Sequence, residues 1–261
     1  MILHLAGTGD ARALAVQLVA AGHSLTASVV TDSAANSLRE AGVPVRIGRM
    51  TADEMVAYIR ENSISLVVDA AHPFAEEAHK NAIAASRECG VPYVRFERES
   101  LAFEQNPRLH LVDDYAAAAE KAAELKGNVM LTTGSKTLQI FTKRLLGEEG
   151  VTLTARMLPR LDNMEKCAEL GVEQKQIIAM QGPFSKELNV ALYRQYKTDV
   201  VITKESGQQG SVDEKVEAAL ELGLQVILIG RPKLEYGMMF RDFDQIIAHV
   251  DALKEEKTDG L

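Results

Sequence analysis

The sequence predicts an α/β protein made of two Rossmann-like parallel-sheet domains with a cleft between them. Three observations lead there. Short β-branched runs alternate with Ala-, Leu- and Glu-rich stretches along nearly the whole chain. Runs such as Leu66-Val67-Val68 are apolar without polar alternation, the pattern of a parallel strand covered by helices on both faces. Three helical stretches also exit through glycine straight into a strand, at Ala21-Gly22-His23, Ala41-Gly42-Val43 and Cys89-Gly90-Val91. Glycine there supplies the left-handed residue that closes a helix.

In chain order, strands are expected at Ile2–Ala6, Leu25–Val30, Val43–Ile47, Leu66–Ala70 and Tyr93–Phe96. The helices between them are Asp10–Ala20, Ser33–Ala41, Ala52–Glu61 and Glu76–Cys89. The alternation lapses over Glu97–Arg108, through Arg98-Glu99-Ser100 and Gln105-Asn106-Pro107, which divides the chain into 1–106 and 107–261. A second set follows, with strands at Val129–Thr133, Leu153–Met157, Ile177–Met180, Val200–Thr203 and Val226–Ile229. Its helices are Tyr115–Leu125, Thr137–Leu145, Met164–Leu170, Lys186–Gln195 and Asp213–Leu222, and the polar tail Lys254–Leu261 is expected to fray.

Composition narrows the function classes. The 261 residues are 46% apolar and 25% charged, an average globular make-up. With 29 basic and 37 acidic side chains the net charge is −8, which argues against a nucleic-acid partner but not against a local basic pocket. No apolar run approaches the ~18 residues of a membrane span, so no membrane partner is expected. The opening Met1-Ile2-Leu3-His4-Leu5 has neither the basic nor the long apolar region of a secretory signal. A cytoplasmic protein with reduced Cys89 and Cys167 is expected.

The first strand runs into Ala6-Gly7-Thr8-Gly9-Asp10-Ala11-Arg12 and opens a helix. Glycines let the backbone approach a phosphate, whose charge meets the positive end of that helix. Arg12 stands where a standard dinucleotide fingerprint has its third glycine, and it reads either as a phosphate ligand or as a solvated helix arginine. The second strand ends in Val30-Thr31-Asp32-Ser33. Asp32 there favours NAD if it points inward, although Asp32 or Ser33 also suits a helix N-cap. Arg46 and Arg49, at and after the third strand, offer charge for a 2′-phosphate, so the residues alone leave NAD and NADP open. The fourth strand ends in Asp69-Ala70-Ala71-His72-Pro73-Phe74-Ala75, where His72 leaves a strand's carboxyl end beside a proline-fixed turn. His72 and His79 lack the accompanying ligands of a metal site, so no metal is expected.

In the second half, Thr132-Thr133-Gly134-Ser135-Lys136-Thr137 links a strand to a helix without the glycine spacing of an NTPase P-loop. Three further strand ends are similarly loaded: Ala155-Arg156-Met157-Leu158-Pro159-Arg160, Met180-Gln181-Gly182-Pro183-Phe184-Ser185-Lys186 and Thr203-Lys204-Glu205-Ser206-Gly207. Four such loops in succession point to a polar site for a large anionic ligand, with Ser135, Lys136, Arg156, Lys204 and Ser206 as its charged and hydroxyl groups.

These loops, in this order, resemble the precorrin-6A reductase family of cobalamin biosynthesis, including the reductases that act on the cobalt form. The resemblance spans almost the whole chain. It rests on Gly7-Thr8 with Ala11-Arg12, Asp69-Ala70 with His72-Pro73-Phe74-Ala75, Thr133-Gly134-Ser135, Ala155-Arg156 with Leu158-Pro159, Met180 to Ser185, Thr203 to Gly207 with Gly210, and Arg231-Pro232. Departures are Ala6 and Asp10 for the usual glycine and glutamate, Ala71 for threonine, and Glu205 for aspartate. The resemblance implies an oxidoreductase using NADPH without flavin or metal, which delivers hydride to C19 of a tetrapyrrole, precorrin-6A or cobalt-precorrin-6A, with protonation at C18. It implies NADPH on 1–106 through Gly7, Thr8, Gly9, Arg12, Thr31, Ser33, Arg46, Arg49, His72 and Pro73. Thr133, Gly134, Ser135, Lys136, Arg156, Gln181, Lys204 and Ser206 would meet the substrate. His72, Lys204 and solvent are the alternatives for the proton. Competing readings are another NAD(P)-dependent small-molecule dehydrogenase, a class marked by a Tyr-x-x-x-Lys pair, and a non-enzymatic two-lobed ligand-binding protein.

Overall fold

The computed structural model describes residues 1–97, 106–205 and 214–259, the last few by backbone alone. The chain divides into two compact units, Met1–Glu99 with Lys233–Leu261, and Ser100–Pro232.

In the first unit, β1 (Ile2–Leu5), β2 (Leu25–Val29), β3 (Val45–Ile47), β4 (Leu66–Asp69) and β5 (Tyr93–Phe96) alternate with α1 (Gly9–Ala20), α2 (Asp32–Glu40), α3 (Ala52–Glu61) and α4 (Glu76–Cys89). The helices start where short polar residues cap them. Thr8 and Thr31 accept from the backbone N–H three residues on, and Thr51 and Glu54 form a reciprocal capping box. Successive strand residues feed opposite faces of the sheet. Ile2 and Val68 pack with Leu14, Leu18 and Leu38, while Leu3 and Val67 pack with Met55, Ile59 and Ala85. Burial on both faces explains why these strands read as unbroken apolar runs.

Residues 233–261, expected in the second half, belong to the first unit. A short strand, here labelled β12 (Met238–Phe240), pairs parallel with β5 at Met238↔Val94. The closing helix α10 (Phe243–Asp259) buries Ile246 and Val250 in the same core as Leu14 and Leu18. The tail expected to fray from Lys254 is therefore helical through Asp259. The sheet order is β12-β5-β4-β1-β2-β3, the classic dinucleotide-fold order with the sixth position filled from the chain's last segment.

The second unit holds β6 (Leu109–Val112), β7 (Gly127–Leu131), β8 (Val151–Met157), β9 (Ile177–Ala179), β10 (Val200–Lys204) and β11 (Gln225–Ile229). Between them run α5 (Tyr115–Leu125), α6 (Leu138–Leu145), α7 (Leu161–Glu169), α8 (Lys186–Gln195) and α9 (Glu214–Glu221). Strand β6 is one the sequence reading omits. All pairings are parallel, in the order β6-β11-β10-β7-β8-β9. Counted from β7, this is again the Rossmann order, with β6 in the sixth place. Met130, Val201, Val226 and Leu228 pack against Tyr193 of α8 and Val216 of α9. Among the described residues no helix is long and apolar enough to cross a membrane, and Cys89 and Cys167 are free thiols.

Candidate functional site

In the first sheet the chain winds outward from β1 through β2 to β3, and the other way from β4 to β5, so the strand order reverses between β1 and β4. Ligands of such sheets bind beyond the carboxyl ends of the strands at that reversal. Two turns leave the sheet there, one at Gly7–Gly9 and one at His72–Pro73. Gly7 has φ +130°, a conformation that favours glycine, and nothing lies within 4 Å of a Cβ built on Gly7 or Gly9. Thr8 Oγ1 accepts from Ala11 N at 3.1 Å, which leaves the positive end of α1 facing open space. Asp10 adds a carboxylate to that first turn. Arg12 is exposed and donates Nε to Ser37 O at 3.0 Å, so one of its donors ties α1 to α2.

At the end of β2 the helix cap is Thr31, whose Oγ1 accepts from Ala34 N at 3.3 Å. The capping role expected of Asp32 or Ser33 is corrected accordingly; both stand exposed in the first turn of α2. Arg46 on β3 donates Nη1 to Gly48 O at 2.7 Å and lies over the Tyr58 ring at 5.7 Å, while Arg49 is exposed just beyond.

His72 is exposed, and its Nδ1 accepts from Phe74 N at 3.2 Å, which puts the ring proton on Nε2. Beneath this turn lies a buried ionic cluster that the sequence reading missed. Asp69, at the end of β4, receives Tyr93 OH and faces His79 Nδ1 on one carboxylate oxygen, each at 2.7 Å. Its other oxygen takes Ala71 N at 3.0 Å and Arg95 Nη1 at 3.2 Å. The same Arg95 nitrogen donates to Asp69 O and Ala71 O, and Arg95 pairs with Glu97 at 2.7 Å. Burial alone would raise the Asp69 carboxyl, but His79, Arg95 and Tyr93 outweigh it and hold the group below the usual carboxylate range. Burial, then Asp69, pushes the Tyr93 phenol up; burial and Glu97 raise Tyr236 to about 12. A signal was present in the sequence: Asp69 and Arg95 are direct cross-strand partners, charged residues inside otherwise apolar strands.

In the second sheet the order reverses between β7 and β10. After β7, Thr133 is buried, with its hydroxyl 3.5 Å from that of Thr137, and Gly134 takes φ +80°. Ser135 donates to Asn163 Oδ1 at 2.5 Å, so its proton is committed within the protein. Lys136 is exposed. Lys204 ends β10; burial, then the charges of Lys136 and Lys215, push its ammonium below the usual lysine range. Lys215, in the first turn of α9, is a cation the sequence reading did not select. Glu205 is buried and neutralised by Arg231 at 3.1 Å.

Arg156 was expected to meet ligand directly. It is 5% exposed, donates Nη1 to Asn189 Oδ1 at 2.7 Å and lies over Phe184 at 4.1 Å, so much of its guanidinium is engaged within the protein. Gln181 is exposed on the same stretch. Ser206, Gly207 and Gly210 lie outside the described residues. The Tyr-x-x-x-Lys spacing occurs once, from Tyr193 to Lys197. Tyr193 is buried with its hydroxyl on Lys215 O at 3.2 Å, and Lys197 sits in the turn after α8, so the pair is not a proton-transfer couple. Among the described residues no cluster of three or more His, Cys, Asp or Glu side chains is arranged to hold a metal.

A family model described as "Precorrin-6x reductase CbiJ/CobK" matches residues 1–251. A cobalt-precorrin-6A reductase of Priestia megaterium is 59% identical over 247 residues, covering 95% of this chain and 96% of that protein. Another, of Salmonella typhimurium, is 40% identical over 232 residues, covering 88% and 87%. Among solved structures, CobK precorrin-6A reductase superposes with a TM-score of 0.76 at 26% identity, over 97% of this chain and 96% of that one. With the whole fold and nearly the full length matched, the chain belongs to the precorrin-6x reductase family.

Proposed function

We propose that the chain reduces one double bond of a corrin precursor in cobalamin biosynthesis, cobalt-precorrin-6A, with NADPH as the reductant. The observation that carries the reading is the strand-order reversal between β1 and β4, where Gly7 and Gly9 face open space at the positive end of α1. That is a dinucleotide pyrophosphate cradle in both shape and charge. Bound NADPH supplies the hydride. Thr8 and the backbone of Gly7–Gly9 would hold the pyrophosphate; Arg12, Thr31, Ser33, Arg46 and Arg49 would hold the 2′-phosphate; His72, through Nε2–H, and Pro73 would line the turn opposite.

The second unit supplies the anion site. Lys136, Lys204 and Lys215 bring three cations together at its strand-order reversal, which suits the several carboxylates of a tetrapyrrole. Thr133, Gly134, Arg156 and Gln181 complete that surface, and Ser135 acts through its remaining lone pairs. Lys204 is a candidate proton donor, since burial and its neighbouring cations weaken its hold on the proton. His72 has its Nδ1 occupied by Phe74 N–H and acts as a hydrogen-bond donor. Both sequence relatives named above are cobalt-precorrin-6A reductases, which supports the cobalt form as substrate. Dependence on NADPH supports a cytoplasmic setting.

The test is NADPH titration by fluorescence, followed by loss of NADPH absorbance on adding cobalt-precorrin-6A or precorrin-6A without oxygen. A chain that binds no NADPH is not this enzyme, and a two-lobed ligand-binding protein becomes the better reading.

A further inference from the structure

We propose that His79 is a positioning residue for the His72–Pro73 turn: its ring, protonated on both nitrogens, bridges the Asp69 carboxylate to the His72 carbonyl. The inference rests on the reading that this turn faces NADPH.

The protonation state follows from the partners. Asp69 accepts from Ala71 N, Arg95 Nη1 and Tyr93 OH, so its carboxylate is ionised and acts only as an acceptor. His79 Nδ1, at 2.7 Å from Asp69 Oδ2, must then donate. On the other side of the ring, Nε2 lies 3.1 Å from the His72 carbonyl oxygen, which also accepts from Ala75 N at 2.7 Å. A carbonyl only accepts, so Nε2 donates as well. The ring is an imidazolium with no exposed side-chain surface.

The surroundings make that charge affordable. Asp69 and Glu97 balance Arg95 and His79, so the cluster is neutral as a whole. Tyr236 meets the His79 ring edge-on at 5.6 Å and lies under Arg95 at 5.3 Å, closing the cluster with the C-terminal segment. The charge of Glu76 also reaches Tyr236, and that of Asp69 reaches His4 on the adjacent β1, whose burial keeps its ring neutral. The backbone from Asp69 to His72 is thereby held at Asp69 O, Ala71 N, Ala71 O and His72 O. With those four groups fixed, the direction in which the His72 side chain leaves the turn is fixed too.

Two variants dissect the bridge. His79→Gln places an amide N–H near Nε2 and keeps the donor to His72 O. His79→Asn places one near Nδ1, keeping Asp69 but abandoning that carbonyl. The dissociation constant for NADPH should rise about tenfold in His79→Asn, or ~1.4 kcal/mol, and by less than about threefold in His79→Gln, with the Michaelis constant for the corrin unchanged in both. Equal behaviour of the two variants, or unchanged NADPH affinity in His79→Asn, overturns the positioning role. A readout on the wild type needs no variant to fold: ¹⁵N-edited NMR at neutral pH should show two ring N–H protons on His79, and a single one overturns the bridge. That spectrum is independent of catalysis, so a wild type that binds no NADPH refutes the enzymatic reading without touching it.

Discussion

Gly9→Ala separates cofactor binding from folding more cleanly than any change at Gly7. Gly7 sits at φ +130°, so any side chain there strains the backbone by roughly 1–2 kcal/mol whatever it binds. Gly9 is the first residue of α1, its φ is not in the left-handed range, and no atom lies within 4 Å of the added Cβ. The folded protein should therefore accept the methyl, with stability unchanged or raised by up to about 1 kcal/mol, because alanine loses less backbone entropy in a helix. A bound pyrophosphate would occupy that open space. Displacing it from the helix terminus should cost at least ~1.4 kcal/mol, a tenfold rise in the dissociation constant. Fluorescence titration with NADPH beside urea unfolding of the same preparation reads both quantities. Wild-type affinity in a stably folded Gly9→Ala protein would refute the cradle and move the cofactor elsewhere.

Arg156→Ala leaves the buried Asn189 Oδ1 without its donor, at about 1–3 kcal/mol and several degrees of melting temperature; it should raise the Michaelis constant for the corrin roughly ten- to hundredfold with NADPH affinity intact, and normal substrate kinetics would remove Arg156 from the site. Arg49→Ala, which alters an exposed side chain, should narrow the preference for NADPH over NADH about tenfold without changing stability; an unaltered preference would place the 2′-phosphate on other groups. His4 donates Nε2–H to Ala11 O while its buried Nδ1 has no partner among the described residues, and burial lowers its pKa to about 4. The unfolded chain binds a proton below about 6.5 that the native state refuses, so stability is full above that pH and falls by roughly 3 kcal/mol on acidification toward 4. Urea midpoints across this range should lose that slope in His4→Gln, and identical slopes in both proteins would sink the argument.

What was legible in the sequence follows from how each feature is encoded. Strands such as Leu66–Asp69 are buried on both faces, and that leaves an unbroken apolar run in one short segment. Strand β12 leaves no such mark: Met238 and Met239 are 49% and 41% exposed, and its place in the sheet is set by pairing with Val94 and Phe96, more than a hundred residues away. Gly7–Gly9 and His72–Pro73 announced themselves because glycine and proline carry local backbone requirements. The ionic cluster beneath did not, because Asp69, His79, Tyr93, Arg95, Glu97 and Tyr236 meet only once β4, β5, α4 and the C-terminal segment are assembled. Arg156 was readable as a cation at a strand end, but its partners Asn189 and Phe184 lie on a separate stretch, and only the packing reveals that it is engaged within the protein.

The two sheets share one strand order, and what stands at each reversal differs. In the first, glycines clear space at a helix N-terminus, and the nearest buried charges are paired off beneath the turn, which under the proposed function leaves a backbone dipole for a diphosphate. In the second, Gly134 also opens a turn, but Lys136, Lys204 and Lys215 gather beside it, and the nearby carboxylate of Glu205 is neutralised by Arg231. Separate point charges suit separate carboxylates, whereas a single helix terminus suits one compact phosphate group. An overall charge of −8 is no obstacle to this arrangement, because acidic side chains elsewhere act through solvent. Lys204 sits where burial weakens that screening, as its lowered pKa shows. On the proposed reading, anion selection by the second unit would come from the placement of three cations rather than from the composition of the chain.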